Sequence, residues 1–373
     1  MLQLDHPDKP LHPHAARTPG GFAWWYADAI NAAGDGFVCI WSYGLPFLPG
    51  LASSERAGAP TVPLHRPSVN LVTYERGHPT SYTLQELAPH HDAPSGTQWQ
   101  FGECHFHLSR DSTRATLEGR LHLPTPGGEP LRGTFRITGV AAAPQGAAHD
   151  VPVHLWTPLM GAATATATFD VGERPLLRLH NASGYHDRNG GTTPIHRLGL
   201  QRWLWGRHTL GEDQVVWYLS YPADDGAEPL LWLHRTGPDG RSTLRAARAT
   251  LQAPTRTWLG LRWWRQITLN DGDAPIVVNL DPPCDSGPFY LRMQATAEQG
   301  PHRARGWAEL CEPDRIDAAW SRPFVRMCVT PPGGPGSRWL PLFSGERRTR
   351  WRRLRRWWAD PALPGPIGRE VRP

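Results

Sequence analysis

The chain has 373 residues, with 39 Lys and Arg against 34 Asp and Glu, which gives a net charge of +5. This length allows two domains of ordinary size or one large β unit, and it excludes a small scaffold held together by disulfides. The 39 prolines and 38 glycines disfavour long helices and predict an all-β fold of short strands joined by turns.

The cysteines and the N-terminal segment indicate a cytoplasmic protein. An odd number of cysteines without any C-x-x-C pair does not form a disulfide framework, so a reducing compartment is expected. The N-terminal segment "MLQLDHPDKPLHPH" has no basic stretch followed by an apolar one, and no run of about 18 apolar residues follows. The five cysteines are Cys39, Cys104, Cys284, Cys311 and Cys328.

The first predicted element is a β-hairpin that recurs later in the chain. "AWWYADAINAAGDGFVCIWSYGLP", residues 23–46, can be aligned with "RWLWGRHTLGEDQVVWYLSYP", residues 202–222, so that Trp25 matches Trp203 and Tyr43 matches Tyr221. Each copy reads as an apolar strand, a Gly/Asp turn and a second apolar strand.

Two further blocks recur in the same order. "WQFGECHFHL" from Trp99 resembles "WLGLRWWRQI" from Trp258, and "GTFRI" from Gly133 resembles "GPFYL" from Gly287. Preserved order indicates duplication. The sequence therefore predicts two tandem antiparallel domains, residues 15–196 and 197–345, each curled into a barrel or half-barrel that removes its sheet edges.

A zinc site at "CHFH" is not expected. On a strand, His105 and His107 share one face while Cys104 points to the other, and no second pair of ligands follows at the spacing of a zinc site. No phosphate-binding glycine loop and no G-x-S-x-G motif is present either. We therefore expect no metal site.

The segment "SGYHDRNGGTTPI", residues 183–195, is the strongest candidate for a site. It is predicted to be a loop at the junction of the two copies, and glycines on both sides would let its backbone approach a ligand closely. If it is locally extended, Tyr185, Asp187 and Asn189 lie on one face and His186 and Arg188 on the other. The first set is expected at the mouth or floor of an apolar cavity in the first domain.

The last predicted element is a basic tail, residues 346–373. In "RRTRWRRLRRWW", residues 347–358, a helix would place Trp351, Leu354 and Trp358 on one stripe with arginines around it. This pattern is typical of a helix that lies on a membrane surface, so peripheral attachment to a membrane is expected. A helix docked on its own domain and a nucleic-acid-binding segment are the alternatives; no recognisable nucleic-acid module accompanies the tail.

Four motifs together resemble the carotenoid 1,2-hydratases, also called hydroxyneurosporene synthases. They are "WWYADAINAAGDGFVCIWSYGLPFLPG", "YERG", "GYHDRNGGTTPI" and "RWLWGR", in that order. The resemblance implies a tandem lipocalin-like fold and a cofactor-free enzyme that adds water to the terminal double bond of an acyclic carotenoid. The family's motif commonly reads Asp-His-Asn-Trp-Gly, whereas residues 187–191 read Asp-Arg-Asn-Gly-Gly.

Such a reaction needs an acid, a way to stabilise a carbocation and a bound water. A buried carboxyl keeps its proton, so Asp187 is the candidate acid. Asn189 or His186 would orient the water, and aromatic faces would stabilise the cation. Because Arg188 would favour the carboxylate if it paired with Asp187, the two side chains should lie apart. The candidate aromatic residues are Trp25, Tyr26, Tyr185, Trp203, Trp205 and Tyr218.

Three functions stay open at this stage. The first is hydration of an acyclic carotenoid or related isoprenoid. The second is cyclisation or a pericyclic reaction of a polyene, which gives an isomeric product, and the third is binding of a carotenoid or lipid without reaction. Asp187 also has a structural alternative, in which it stays ionised and caps the segment by accepting backbone N–H groups.

Overall fold

The computed structural model describes residues 2–8, 11, 13–91, 96–125, 128–143, 154–224, 227–321, 324–325, 329–330 and 332. The predicted basic tail, residues 346–373, and Cys328 lie outside these residues. Within them the protein is almost entirely β-structure, which confirms the predicted all-β class. The described part of the chain contains two short α-helices, α1 (Pro13–Arg17) and α2 (Leu51–Arg56).

The strands form two sheets that follow each other along the chain. The first sheet contains β1 (Leu2–Leu4), β2 (Phe22–Ile30), β3 (Gly36–Tyr43), β4 (Pro67–Glu75), β5 (His78–Glu86), β6 (Gln98–Phe101), β7 (Cys104–Arg110), β8 (Arg114–Leu123), β9 (Leu131–Ala141), β10 (His154–Pro158), β11 (Met160–Val171) and β12 (Arg174–Gly191). The second contains β13 (Leu200–Leu210), β14 (Asp213–Pro222), β15 (Leu230–Thr236), β16 (Ser242–Arg256), β17 (Arg262–Asn270), β18 (Ile276–Leu280), β19 (Asp285–Ser286), β20 (Tyr290–Gln299) and β21 (His302–Cys311). Short β22 (Val329–Thr330) returns to pair with β5.

The second sheet closes into an eight-stranded barrel, whereas the first is a half-barrel. Closure is made by the pairing of β18 with β20, which joins the two ends of the strand order. In the first sheet the order runs β22-β5-β4-β3-β2-β12-β11-β9-β8-β7-β6, with β10 added beside β12 and β1 beside β10. In both sheets an early strand, β2 or β13, pairs with a late one, β12 or β21.

Alternating side chains divide the apolar residues into three layers. One layer fills the half-barrel and includes Trp25, Trp41 and Phe106, and another fills the closed barrel. A third, rich in aromatic residues, lies between the two sheets and includes Tyr26 and Trp205. Strand β2, the second half of β12 and most of β13 and β14 are therefore buried on both faces.

The two repeated hairpins occupy corresponding places, but the alignment is displaced. Trp25 and Trp203 lie on β2 and β13, which are the corresponding first strands of their hairpins. Trp25 points into the half-barrel, however, while Trp203 points out of the barrel toward the first sheet. A shift of one residue exchanges the two faces of a strand, so the alignment is out of register there.

Candidate active site

The segment predicted to be a loop is the end of the long strand β12. Its residues pair with β2 on one side and with β10 on the other, so that Asp187 lies opposite both Tyr26 and Pro158. The prediction of a loop was wrong because both neighbouring strands supply partners for the backbone groups of this glycine-rich stretch. The strand makes the predicted alternation of side chains strict.

Asp187 is buried and receives three hydrogen bonds. Trp156 Nε1 and Tyr185 Oη donate to Asp187 Oδ2 at 2.8 Å each, and Asn189 Nδ2 donates to Oδ1 at 3.0 Å. All three donors are side chains, whereas the structural alternative required backbone N–H groups. Oδ2 is thus saturated with hydrogen bonds, and Oδ1 retains one free lone pair.

The surroundings of Asp187 favour the neutral carboxyl. Burial raises its pKa to about 7, and the hydrogen bonds from Trp156 and Tyr185 only partly oppose this effect. Desolvation acts in this direction because the anion loses more hydration than the neutral acid. Asp187 is therefore a carboxylic acid that can hold a proton close to neutral pH.

The amide of Asn189 links Asp187 to a histidine on β10. Asn189 Oδ1 lies 3.1 Å from His154 Nε2. Because the amide nitrogen of Asn189 donates to Asp187, its oxygen must accept from His154, which places the histidine proton on Nε2. Burial lowers the pKa of His154 to about 4, so the ring is neutral and its Nδ1 is an acceptor. This Nδ1 is buried and has no hydrogen-bond partner among the described residues.

His186 and Arg188 lie on the opposite face of β12, as the alternation predicts. His186 Nδ1 bonds the backbone oxygen of Tyr26 at 2.8 Å, and the ring stacks on Trp41 inside the half-barrel. Arg188 donates to Asp5 Oδ2 at 3.1 Å and to the backbone oxygen of His6 at 2.7 Å. Arg188 therefore neutralises Asp5 and does not pair with Asp187.

Aromatic side chains from both sheets surround the Asp187 face of β12. Tyr185 lies 5.6 Å from Trp205 and 6.2 Å from Tyr26 between ring centroids, and Tyr26 lies 5.3 Å from Trp205. Trp156 lies 6.3 Å from Tyr218. Of the other predicted residues, Trp203 belongs to this layer at its Phe47 end. Trp25 instead packs on Trp41 and Trp99 in the half-barrel, away from Asp187.

The candidate site therefore lies between the two sheets. The sequence had suggested a cavity of the first domain instead. The difference arises because Tyr185, Asp187 and Asn189 project from the outer face of the half-barrel, which the outer face of the closed barrel covers. A cleft of 670 Å³ is found elsewhere, on the far strands β6–β9 and β11, lined by residues such as His105, Glu118 and Arg136. It does not include any of the Asp187 hydrogen-bond partners.

An ion pair and hydrogen bonds beside the site connect the two sheets. Arg207 of β13 forms an ion pair with Asp28 of β2, and both side chains are 0% exposed. Arg207 also donates to Ser183 Oγ at 2.6 Å. Nearby, Glu309 accepts from Arg292 at 2.9 Å and from Tyr26 Oη at 3.2 Å. Tyr26 is thus both an aromatic neighbour of the site and part of this polar junction.

The sequence did not identify His154, Trp156 or His234, which the fold adds to the site. His234 of β15 packs edge-on against Trp156, with ring centroids 5.6 Å apart. The only sequence signal for these residues was that His154 and Trp156 are two positions apart in "HLWTP" and so share one face of a strand. Many strands show this spacing, so it does not indicate a site.

Among the described residues no group of three His, Cys, Asp or Glu side chains is arranged to hold a metal ion. Cys104 is buried and His105 exposed, as expected for successive residues of a strand. No helix in the described part of the chain is long and apolar enough to cross a membrane.

Comparisons with known proteins agree on one family. The family model described as "Carotenoid hydratase CrtC" matches residues 44–332. Over 330 residues the chain is 24% identical to a hydroxyneurosporene dehydrogenase of Chlorobaculum tepidum, covering 80% of this chain and 85% of the relative. Over 193 residues it is 31% identical to an acyclic carotenoid 1,2-hydratase of Thiocapsa roseopersicina, covering 51% and 45% respectively.

Solved structures show the same fold at low sequence identity. An AttH protein of Nitrosomonas europaea superposes with a TM-score of 0.56 at 13% identity, covering 78% of this chain and 92% of that one. CghA in complex with Sch210972 gives a TM-score of 0.53 at 15% identity, with coverages of 79% and 89%. These likenesses establish the lipocalin-like fold, as the family resemblance implies.

Proposed function

Since the chain belongs to the carotenoid hydratase family CrtC, we propose that it adds water across the terminal double bond of an acyclic carotenoid or related isoprenoid. The observation that carries this proposal is Asp187, a buried carboxyl with a pKa of about 7 that faces an aromatic layer between the two sheets. Such a group can protonate an alkene that enters this layer.

Asp187 would start the reaction by protonating the less substituted carbon of the double bond. Oδ2 accepts two hydrogen bonds, so Oδ1, which accepts one, is the oxygen able to carry the acidic proton. After the transfer the same three donors stabilise the carboxylate. Tyr185, Trp156 and Asn189 are therefore positioning residues that hold Asp187 in both protonation states.

Aromatic faces would stabilise the tertiary carbocation. Each is worth about 0.5–2 kcal/mol when it faces a desolvated cation. Tyr185 donates to Asp187, Trp205 packs on Tyr185, and Tyr26 extends the same surface. Asp28 Oδ1 and Glu309 Oε1 are engaged by Arg207 and Arg292, which lowers their ability to trap the cation as an ester.

His154 would accept the proton that the attacking water loses. Its Nδ1 is a buried acceptor, and a pKa of about 4 is sufficient to deprotonate a strongly acidic protonated alcohol. Return of this proton to the Asp187 carboxylate restores both groups, so the net reaction consumes only alkene and water. We therefore propose that the reaction needs no cofactor.

The two departures from the family motif lie away from the proposed chemistry. Arg188 binds Asp5 on the opposite face of β12. A side chain at Gly190 would meet Leu11 Cδ1 at 2.7 Å and Ala15 Cβ at 3.3 Å, so α1 and the residues before it occupy the space that a tryptophan would need. Both replacements thus fit an N-terminal segment packed behind the strand, and Asp187 and Asn189 are kept.

Incubating the purified full chain with an acyclic carotenoid in detergent, followed by mass spectrometry, tests the proposal. Hydration gives a product one water molecule heavier than the substrate. An isomer of the substrate would instead show a cyclase or pericyclase, and bound but unchanged carotenoid would show a carrier.

The rate of hydration is expected to fall as the pH rises through about 7, because Asp187 then loses the proton that it must donate. The same shift lowers the stability of the fold as the pH rises from about 4 to about 7, since the folded protein binds the proton more tightly than the unfolded chain, whose carboxyl has a pKa of about 3.9. A pH–kcat profile measures the first effect. A rate that rises through neutral pH would contradict the assignment.

The basic tail is proposed to carry the protein to the membrane in which a carotenoid dissolves. Truncation after Gly345 is expected to weaken binding to anionic vesicles, because each arginine near such a surface contributes about 1 kcal/mol. Sedimentation with anionic and with neutral vesicles measures the effect. Equal binding of full-length and truncated protein to anionic vesicles would refute the proposal.

A further inference from the structure

Two polar groups of the second sheet face the Asp187 site without an assigned role. Tyr218 Oη on β14 and His234 Nδ1 on β15 are buried, and neither has a hydrogen-bond partner among the described residues. The two residues lie on neighbouring strands, with Val216 opposite His234 and Tyr218 opposite Trp232. Their side chains therefore project from the same face of the barrel toward the half-barrel.

Both groups lie around Trp156, the indole that donates to Asp187. The Trp156 ring is 6.3 Å from the Tyr218 ring and 5.6 Å from the His234 ring. The Tyr218 ring is also 6.5 Å from the ring of His154, whose Nδ1 is the third unpartnered polar atom of this region. Three side chains, each with an unpartnered polar atom, thus lie around Trp156 beside the acid.

Leaving buried polar atoms unpaired is costly, about 1–3 kcal/mol for each group. A water molecule held inside a protein usually makes about three hydrogen bonds to such atoms. Burial raises the pKa of Tyr218 and lowers that of His234 to about 4, so both groups are neutral near pH 7. Neutral groups can hold a water molecule without removing its proton before the cation forms.

We propose that Tyr218 Oη and His234 Nδ1 bind the water molecule that attacks the carbocation. The inference rests on the proposed function. It assigns the acid to the first sheet and the binding of the water to the second sheet. The water oxygen forms the new C–O bond with its lone pair, and the resulting protonated alcohol gives its extra proton to His154 Nδ1. Tyr218 and His234 are thus positioning residues for the nucleophile.

Turnover in D₂O separates this role from a role in protonation. If the water is misplaced, the cation still forms at Asp187 but loses a proton and returns to alkene that carries deuterium. In Tyr218→Phe we expect the ratio of deuterated alkene to alcohol to rise about tenfold, the equivalent of one lost hydrogen bond. Mass spectrometry of the recovered alkene and the alcohol measures both products.

Matched variants exclude effects of packing. Tyr290 also has a buried hydroxyl without a partner, but its ring lies beside Arg292, and Tyr290→Phe should leave the ratio unchanged. His234→Leu should act like Tyr218→Phe, whereas His234→Asn, which restores a polar atom, should recover part of the alcohol. Loss of both products in Tyr218→Phe and His234→Leu, or an unchanged ratio in both, would overturn the proposal.

A crystal structure provides a test that does not depend on turnover. We expect an ordered water within hydrogen-bond distance of Tyr218 Oη and His234 Nδ1 in the wild-type protein and its loss in Tyr218→Phe. Wild-type protein that binds this water but forms no alcohol would overturn the proposed function. Wild-type protein without this water would overturn the present inference.

Discussion

Asp187→Asn is expected to lower kcat for hydration by about 10²–10⁴-fold, the usual contribution of a general acid. Asparagine keeps the size of the side chain and an oxygen that can accept from Trp156 and Tyr185, but it has no proton that it can transfer. Steady-state turnover of an acyclic carotenoid, together with circular dichroism of the variant, measures rate and folding separately.

The same carboxyl-to-amide change at a distant surface provides the control. Asp170 of β11 pairs with Arg178 of β12 at a partly exposed position, and Asp170→Asn should turn over like the wild-type protein. A folded Asp187→Asn variant with wild-type turnover would eliminate Asp187 as the acid. A variant that fails to fold would assign Asp187 to structure.

Arg207→Met is expected to lower the free energy of unfolding by about 3–5 kcal/mol, because it leaves the carboxylate of Asp28 buried without its partner. Both side chains are 0% exposed, and the pair crosses from one sheet to the other. Burial already raises the pKa of Asp28, and Arg207 is the main group that opposes this shift. Chemical denaturation followed by tryptophan fluorescence measures the loss.

Two further variants identify the buried charge as the cause. In Arg207→Met combined with Asp28→Leu no unpaired charge remains, so the double variant should be more stable than Arg207→Met alone. Arg245→Met, which breaks an exposed pair with Asp273, should cost only about 0–1 kcal/mol. Equal stability of Arg207→Met and Arg245→Met would contradict the assignment.

The all-β fold was predictable from local signals, but its registers were not. Regularly spaced Gly and Pro residues between apolar segments predict short strands. The Gly/Asp turns between β2 and β3 and between β13 and β14 predict the two hairpins. The alignment nevertheless matched Trp25 with Trp203, although Trp25 points into the half-barrel and Trp203 points out of the closed barrel. Strands buried on both sides show no alternation of polar and apolar residues, so their sequence does not reveal which face points where.

The residues that one strand, β12, contributes to the candidate site were also predictable, whereas their partners from strands distant in sequence were not. Tyr185, Asp187 and Asn189 share a face because they are alternate residues of one extended segment. Trp156 reaches Asp187 only because β10 pairs with the end of β12. His234 contacts Trp156 only because the closed barrel packs on the half-barrel. Because of this packing, the candidate site lies at the junction of the sheets and not inside one domain, where it was predicted from the sequence.

Infrared difference spectroscopy of wild-type protein against Asp187→Asn tests most directly that the junction of the two sheets holds a neutral acid. A protonated carboxyl absorbs as a carbonyl that the carboxylate lacks, so its intensity can be followed against pH. We expect a carbonyl band of Asp187 in the wild-type protein at pH 6 that disappears with a midpoint at about pH 7. A carboxyl that is already fully ionised at pH 6 would contradict the account.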